Sequence, residues 1–412
     1  MAANDLTNIL PKILARGLIT LRQRCIMPRL VNSDYGMMAA IKGSTIDVPV
    51  PTAVGTQDVS PSQTPITPVG CTPGLVQVAL DYWRQNDPIY LTDKELCQID
   101  QNEHFLPMQM MEAIKALASY VNQIIMGKYK GTLRGVFGFV GTPGTTPFGS
   151  GVGVSSATGA RKILNKQLCP LGDRRGVLDF DAEAAALDLS AFSDAEKILS
   201  AIVKVEGDIG RKFGIDWVAD DDAPYHTAGT IATTTGAFRQ CAVNNGAGYA
   251  VGIDTINVDF DNDAGNVGAG TILLGDILSF AGHDQTYCVI ANASSGQYSN
   301  GVYTFATNAI AGLKIYPALK TAVVDNEVAT VKASHRVNMV FHRDAFAFAT
   351  RPLLDVTSNL NLGSQILSMQ DPVTGLVLRL EVSRQHKQVI WEYDLLFGAE
   401  LIRPELCCRL AG

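Results

Sequence analysis

The stretch GTILLGDILSFAGHDQTYCVIANA, residues 270–293, alternates short apolar runs with Gly, Asp and Asn. Runs of this length, rich in Ile, Val and Tyr and bounded by turn formers, read as strands joined by tight turns. TINVDF (255–260) and GVYTFAT (301–307) extend the pattern on either side. Between Lys212 and Lys314 the only Lys or Arg is Arg239, against ten aspartates. An acidic, β-rich block of this kind predicts a small barrel or sandwich over residues 228–333, inserted into a chain whose flanks are more helical and more evenly charged.

Working outward, Ser156 to Leu168 reads as a helix, RRGVLDF (174–180) as a strand and DAEAAALDL (181–189) as a helix. Ser193 and Glu196 have the spacing of a capping box, with a helix running on to about Val203. On the far side, VNMVFHRDAFAFATRPL (337–353) is expected to return to helix. LVLRLEVSRQ (376–385), VIWEYDLLFG (389–398) and LIRPELCCRL (401–410) are expected to be strands. Helices and strands are mixed rather than strictly alternating, which predicts an α+β body.

Towards the N-terminus, Thr92 and Glu95 form a second capping box. Leu106, Met110, Ile114, Leu117, Val121 and Ile124 then recur at 3–4 spacing, which predicts one long helix to about Met126. Gly43 to Trp83 contains no Lys or Arg. Within it, TIDVPVPT (45–52) alternates like a strand, LVQVALDYW (75–83) reads as its return, and Pro61, Pro65, Pro68 and Pro73 stiffen the tip. Loops this long inside a compact domain are usually functional or disordered; a projecting contact hairpin is expected, with simple disorder as the alternative. Leu6, Leu10, Ile13, Leu14, Leu18 and Leu21 mark an N-terminal helix. Lys12, Arg16, Arg22, Arg24 and Arg29 make it basic: a core helix with a solvated face, or an arm that docks on a partner.

The bulk numbers bound the function. At 412 residues, with 47% hydrophobic content, two to three domains are expected. A net charge of −7 argues against nucleic-acid binding as the main task. No run of about 20 apolar residues could span a bilayer. Charges inside the first apolar stretch argue against a secretory signal. The eight cysteines (25, 71, 97, 169, 241, 288, 407 and 408) form no C-x-x-C pair and read as buried thiols of a reducing cytoplasm.

The sequence nominates no catalytic site. The glycines at 149, 151 and 153 complete neither G-x-S-x-G nor G-x-G-x-x-G. Asp259, Asp261 and Asp263 imitate the start of a calcium loop, but Gly270 stands where the bidentate carboxylate belongs. Asp220, Asp221, Asp222 and His226 read as a solvated linker at the entrance of the inserted block. His342, Arg343 and Asp344, placed on a helix, would fan over different faces. Trp83, Trp217 and Trp391 read as core anchors. No cofactor and no metal are expected.

Several phrases together resemble one family. LLGDILSFAG (273–282) followed by GLKIYPAL (312–319), FHRDAFAFA (341–349), EYDLLFGAELIRPELCCRL (392–410) and CPLGDRRGVLD (169–179) are similar to the tailed-bacteriophage major capsid proteins, in particular the gene-five coat proteins of short-tailed phages. The resemblance covers most of residues 90–412, with the N-terminal third matching by layout. It implies the Hong Kong 97 fold. Its parts would be an N-terminal arm (1–35), an extended loop (36–90), spine helix and peripheral and axial body (91–227 and 334–412), and an insertion domain (228–333). It also implies self-assembly into hexamers and pentamers around double-stranded DNA, in a virion built in the host cytoplasm without membrane. The partners implied are a portal and, where the family uses one, a decoration protein. Because the arm is short, a separate scaffolding protein is expected. Since the hairpin has no lysine, it cannot supply the amine of an isopeptide cross-link, so a non-covalent shell is expected. The alternatives are another phage structural component, a cargo shell and, more remotely, a hydrolase with a β-rich lid.

Overall fold

The computed structural model describes residues 10–34, 45–52, 54–56, 58, 70, 72–95, 105–193, 209–232, 240–260, 270–306, 308–353 and 365–411. The chain divides into two compact units. One comprises Met1–Gln23, Asn32–Leu117 and Phe346–Arg403, the other Arg24–Val31, Ala118–Ala345 and Pro404–Gly412.

The first unit is organised by one long strand, Gln388–Leu401. Val377–Gln385 pairs antiparallel along one edge, and Gln365–Gln370 pairs with that strand in turn. The same edge of the long strand continues with Phe346–Thr350, and the other edge takes two short antiparallel strands in succession, Ile89–Thr92 and Tyr82–Gln85. Inward residues alternate along the sheet, with Leu380, Val382, Trp391, Tyr393, Leu395 and Phe397 all buried. Gly398 permits close stacking at one point, since a Cβ there would lie 2.3 Å from the Ala79 carbonyl oxygen. The N-terminal helix, Leu10–Arg24, buries Leu14, Leu18 and Leu21. Its Gly17 meets Ile114 of the long helix Phe105–Gly127, where a Cβ would come within 2.4 Å of Ile114 Cδ1. The Thr92 capping box is made as expected: Thr92 N donates to Glu95 Oε2 at 2.9 Å, and Glu95 N donates to Thr92 Oγ1 at 3.3 Å.

The second unit holds a six-stranded sheet and a barrel. The sheet runs in the order Gly138–Val140, Cys407–Leu410, Asn338–His342, Arg174–Leu178, Ile215–Ala219 and Gly210–Lys212. Helix Ser155–Lys166 belongs to this unit. So does helix Phe180–Asp188, capped by Asp179, whose Oδ1 accepts from Ala182 N. The barrel closes through Gln240–Val243, Thr255–Phe260, Ala309–Tyr316, Thr286–Ile290, Ile277–Phe280 and Val328–Val331, the last pairing back to the first. Its interior is a continuous apolar core containing Val243, Ile256, Val258, Leu278, Tyr287, Val289, Tyr303, Leu313 and Val331. Just outside it in sequence, Tyr225–His226 pairs antiparallel with His335–Arg336, so the chain enters and leaves the barrel as one two-stranded ribbon.

The segment 337–353, expected as helix, is instead two strands, Asn338–His342 and Phe346–Thr350, separated by a single 3-10 turn at Arg343–Ala345. Every residue of Asn338–His342 is buried. A strand covered on both faces shows a continuous apolar run, which periodicity cannot tell from a buried helix. Trp217 and Trp391 are core residues as expected, but Trp83 is 61% exposed. The helix expected after Ser193 and the calcium-like residues Asp261 and Asp263 lie outside the described residues.

Replacing Gly398 by Ala forces a backbone shift where the long strand meets Ala79. The expected cost is about 1–3 kcal/mol, seen as a lower midpoint in thermal unfolding; an unchanged midpoint would show that the two strands separate freely.

Candidate assembly surfaces

The hairpin is built by strict alternation. Thr45–Val50 pairs with Gly74–Ala79 in the register Thr45↔Ala79 to Val50↔Gly74. Ile46, Val48, Val76 and Val78 point inward and pack with Leu80, Ala347, Ala349 and Ile402, which anchors the base of the hairpin on its own unit. The opposite face is solvated: Gln77 Nε2 donates to Asp47 Oδ1 at 3.0 Å, and Leu75 is 56% exposed. A one-residue slip would move the whole apolar set outward, so the register is strongly specified. Pro61, Pro65 and Pro68 lie outside the described residues.

Beside the hairpin, the outward face of the main sheet has an unusual composition. Trp83 and Tyr90 are exposed on neighbouring short strands. Trp83 Nε1 donates to Asp394 Oδ2 at 3.0 Å, and Arg379 clamps the same carboxylate through Nε and Nη2. Glu381 and Glu392 stand directly opposite each other on adjacent strands. Burial, then the Glu381 and Asp394 charges, push the Glu392 carboxyl above the usual range. Like charges in this position destabilise a sheet, so the face is not optimised for the isolated chain.

The basic residues of the first 30 positions are spread out. Lys12, Arg16, Arg22 and Arg24 occupy the N-terminal helix, while Arg29 ends the short helix Met27–Leu30. Lys12 and Arg16 are one helical turn apart. The side chains of Arg16, Arg24 and Arg29 are exposed. Arg16 shares its outer face with Ile19, itself 54% exposed.

Chemistry-bearing groups do converge at one place that the sequence did not reveal, the root of the barrel. His226 is not in a solvated linker; it is 1% exposed. Its Nδ1 lies 2.9 Å from the Tyr129 hydroxyl and its Nε2 lies 2.9 Å from Asp276 Oδ1. Asp276 Oδ2 accepts from Leu273 N and Gly229 N at 2.7 and 3.1 Å. Arg409, fully buried, sits over the Tyr129 ring at 4.6 Å and donates to the Gly275 carbonyl at 2.8 Å. These residue types resemble a proton relay, but burial pushes the Tyr129 hydroxyl up to about 12, which makes it a poor nucleophile at neutral pH. The arrangement ties the segments at 129, 226, 276 and 409 together. Asp220 is also buried rather than solvated, and burial lifts its carboxyl to about 6. Asp222 accepts from Ser119, Asn122 and Gln123 on the long helix.

His342 and Asp344 are closer than a helix would place them, because the strand ends at His342 and the turn brings the Asp344 amide to its Nδ1 at 3.2 Å. Among the described residues, no three His, Cys, Asp or Glu side chains are placed to hold a metal. The six described cysteines are buried, and burial raises the thiols of Cys241 and Cys288 to about 12 and about 11, which keeps them protonated. A surface cavity of about 300 Å³ is lined by Lys166, Asp284, Thr286, Lys320 and Thr321, with Lys166 already paired to Asp284 at 2.8 Å. No described helix is long and apolar enough to cross a membrane.

A solved structure from Mycobacterium phage Che8 is similar to this chain, with a TM-score of 0.50 and 12% identity, covering 94% of this chain and 90% of that one. The capsid structure of cyanophage P-SCSP1u matches at 0.47 and 10% identity over 94% and 88%. The capsid of a native GTA particle matches at 0.44 and 9% identity over 96% and 91%. No family model and no curated protein matches the sequence, so the likeness is one of three-dimensional structure. The chain shares the fold of that Mycobacterium phage Che8 structure. Its mixed helix-and-sheet class agrees with the α+β expectation, and the closed barrel falls inside the block read from the sequence as β-rich.

Two substitutions on the outward sheet face separate its attractive from its repulsive element. Asp394→Ala leaves Arg379 without its clamp and is expected to cost about 3 kcal/mol in urea unfolding. Glu392→Gln relieves the cross-strand repulsion and is expected to stabilise the isolated chain by about 0.5 kcal/mol; a loss in the same assay contradicts the repulsion.

Proposed function

We propose that this chain is the major capsid protein of a tailed phage, many copies of which close into an icosahedral shell around packaged double-stranded DNA. The observation behind this reading is the fold shared over nine-tenths of the chain and of its Che8 counterpart. In this reading residues 1–35 are the N-terminal arm and 36–90 the extended loop. Residues 91–227 and 334–412 form the spine helix and the peripheral and axial body, and 228–333 the insertion domain. Copies assemble as hexamers and pentamers. A separate scaffolding protein and a portal guide assembly, a decoration protein is accommodated outside, and the virion is assembled in the host cytoplasm. The role is structural rather than catalytic.

Three features support it. The hairpin keeps one face on its own unit and leaves the other free, as a segment shared between neighbours must. Its residues from Gly43 to Trp83 contain no Lys, which favours a shell joined by non-covalent contacts. The outward sheet face combines exposed aromatics with unrelieved charge, a composition suited to a partner surface. Closed, uniform particles are expected by electron microscopy when the chain is expressed with its genomic neighbour, and they should dissolve into single chains on denaturing gels. A chain that stays monomeric in every condition contradicts the proposal, and a covalent ladder contradicts the non-covalent shell. Reversing Arg22, Arg24 and Arg29 to Glu is expected to impair scaffold or DNA contact; unchanged assembly and packaging would remove these residues from that role.

A further inference from the structure

The root of the barrel contains more titratable groups than a structural clasp requires, and their hydrogen bonds fix their protonation. His335 Nδ1 lies 2.8 Å from the Ala333 carbonyl. A carbonyl only accepts, so Nδ1 bears the hydrogen and Nε2 presents a lone pair. That Nε2 is buried and has no protein partner. His226 Nε2 faces the Asp276 carboxylate and so donates, which leaves Nδ1 to accept from the Tyr129 hydroxyl. Burial favours the neutral form of both imidazoles, and this arrangement accommodates it. Their rings lie 5.3 Å apart, with the Phe139 ring edge-on to His335 at 5.1 Å. The charged groups around them are Arg409, Lys130 and Asp276. His226 and His335 are also the register partners that close the ribbon by which the chain enters and leaves the barrel.

We propose that His226 and His335 form an acid-sensitive latch at the barrel root: neutral, they hold the entry and exit strands together, and protonation releases them. A proton on His335 Nε2 creates a buried donor with no acceptor, beside a second imidazole and the buried guanidinium of Arg409. Two added positive charges would face the single carboxylate of Asp276, which already accepts from His226, Gly229 and Leu273. The barrel core cluster contains no histidine or carboxylate, so the proposed loosening begins at the ribbon. This latch is a property of the single chain and holds whether or not copies assemble.

The direction follows from burial, which depresses the His335 pKa from 6.5 to about 4 and lowers that of His226 in the same sense. A depressed histidine stabilises the folded form fully above about 6.5 and loses that contribution as pH falls towards about 4. Over this window the opening equilibrium shifts by about tenfold per pH unit for His335, and His226 acts in the same direction. Asp220, raised to about 6 by burial, contributes with the opposite sign, because its folded form takes up a proton more readily than the unfolded chain. A global melting curve would therefore mix the two effects.

The test is local hydrogen exchange on the full chain from pH 7 to 4.5, corrected for the intrinsic pH dependence, over peptides spanning 225–230, 271–277 and 333–337. In the wild type, protection there should fall by about tenfold per pH unit below 6.5, while the six-stranded body sheet stays protected. His335→Asn keeps a donor for the Ala333 carbonyl and cannot titrate, so its loss of protection should be shallower, and His226→Gln/His335→Asn shallower still. Acid opening identical in wild type and variants overturns the latch. Should the variants fail to fold, titration of the six histidines of the wild-type chain by NMR decides it: His226 and His335 must remain neutral well below 6.5, and an ordinary titration overturns the proposal.

Discussion

A guanidinium buried beyond the reach of water must find its hydrogen bonds in the protein, and Arg409 is the group around which one unit is organised. It is fully buried, donates to the carbonyls of Gly275 and Tyr129, touches Cys288 and lies across the Tyr129 ring. Those partners come from the end of the long helix, a barrel turn and a barrel strand, while Arg409 itself is on the penultimate stretch of the chain. Leaving such a cation without partners costs several kcal/mol, so the burial of the C-terminal strand depends on these contacts. Gly275, at φ +92°, has the backbone freedom to turn its carbonyl towards the arginine, and a side chain there would strike Lys130. The barrel is thereby coupled to the body sheet by polar satisfaction as well as by the apolar cluster of Phe137, Phe139, Ile277, Cys288 and Ala411.

The other unit solves a different problem. Its long strand accepts neighbours along both edges, with two short strands sharing one edge and a third following Val377–Gln385 on the other. Short strands limit the length of unpaired backbone that could template uncontrolled pairing. Between Tyr82–Gln85 and Ile89–Thr92 the ladder is bridged by Asn86, whose side chain accepts from Tyr393 N at 2.6 Å while its own amide donates to the Tyr393 carbonyl. The interruption turns Trp83 and Tyr90 outward on either side of it, so the exposed aromatics are a consequence of how the edge is broken up.

The sequence was most legible where a period was unambiguous. Alternation in TIDVPV gave the hairpin strand, 3–4 spacing from Leu106 to Ile124 gave the long helix, and the turn-bounded runs from Thr255 to Ala293 gave three barrel strands, Thr255–Phe260, Ile277–Phe280 and Thr286–Ile290. It misled where both faces of a strand are covered, as in Asn338–His342, because burial removes the alternation on which the reading depends. It also misled at Trp83, where a large apolar side chain stands on a solvent face. The barrel root was illegible for another reason. Tyr129, His226, Asp276, His335 and Arg409 are separated by tens of residues in sequence, and only the closed topology brings them together. The run of aspartates near His226 suggested solvent, although the turn at 220–223 buries Asp220 and aims Asp222 at the long helix.

The remaining exposed apolar side chains bear on how a shell could grow. Among the described residues, Trp83 and Tyr90 share the outward sheet face, while Ile19, Val54 and Leu75 in that unit and Leu133, Leu168, Leu171, Val251 and Val324 in the other lie elsewhere. A permanent dimer would instead show a contiguous apolar patch resembling a bisected core. Scattered anchors of this kind contribute at most about 1–3 kcal/mol each when covered, too little to trap a misplaced copy. A copy touching several neighbours through such contacts gains avidity only when all of them engage together. In the proposed shell, misfitted copies would then leave and fitted ones stay. That selectivity would depend on the individual contacts remaining weak, and the Glu381–Glu392 repulsion on the outward sheet, offset only in part by Arg379, would weaken one of them.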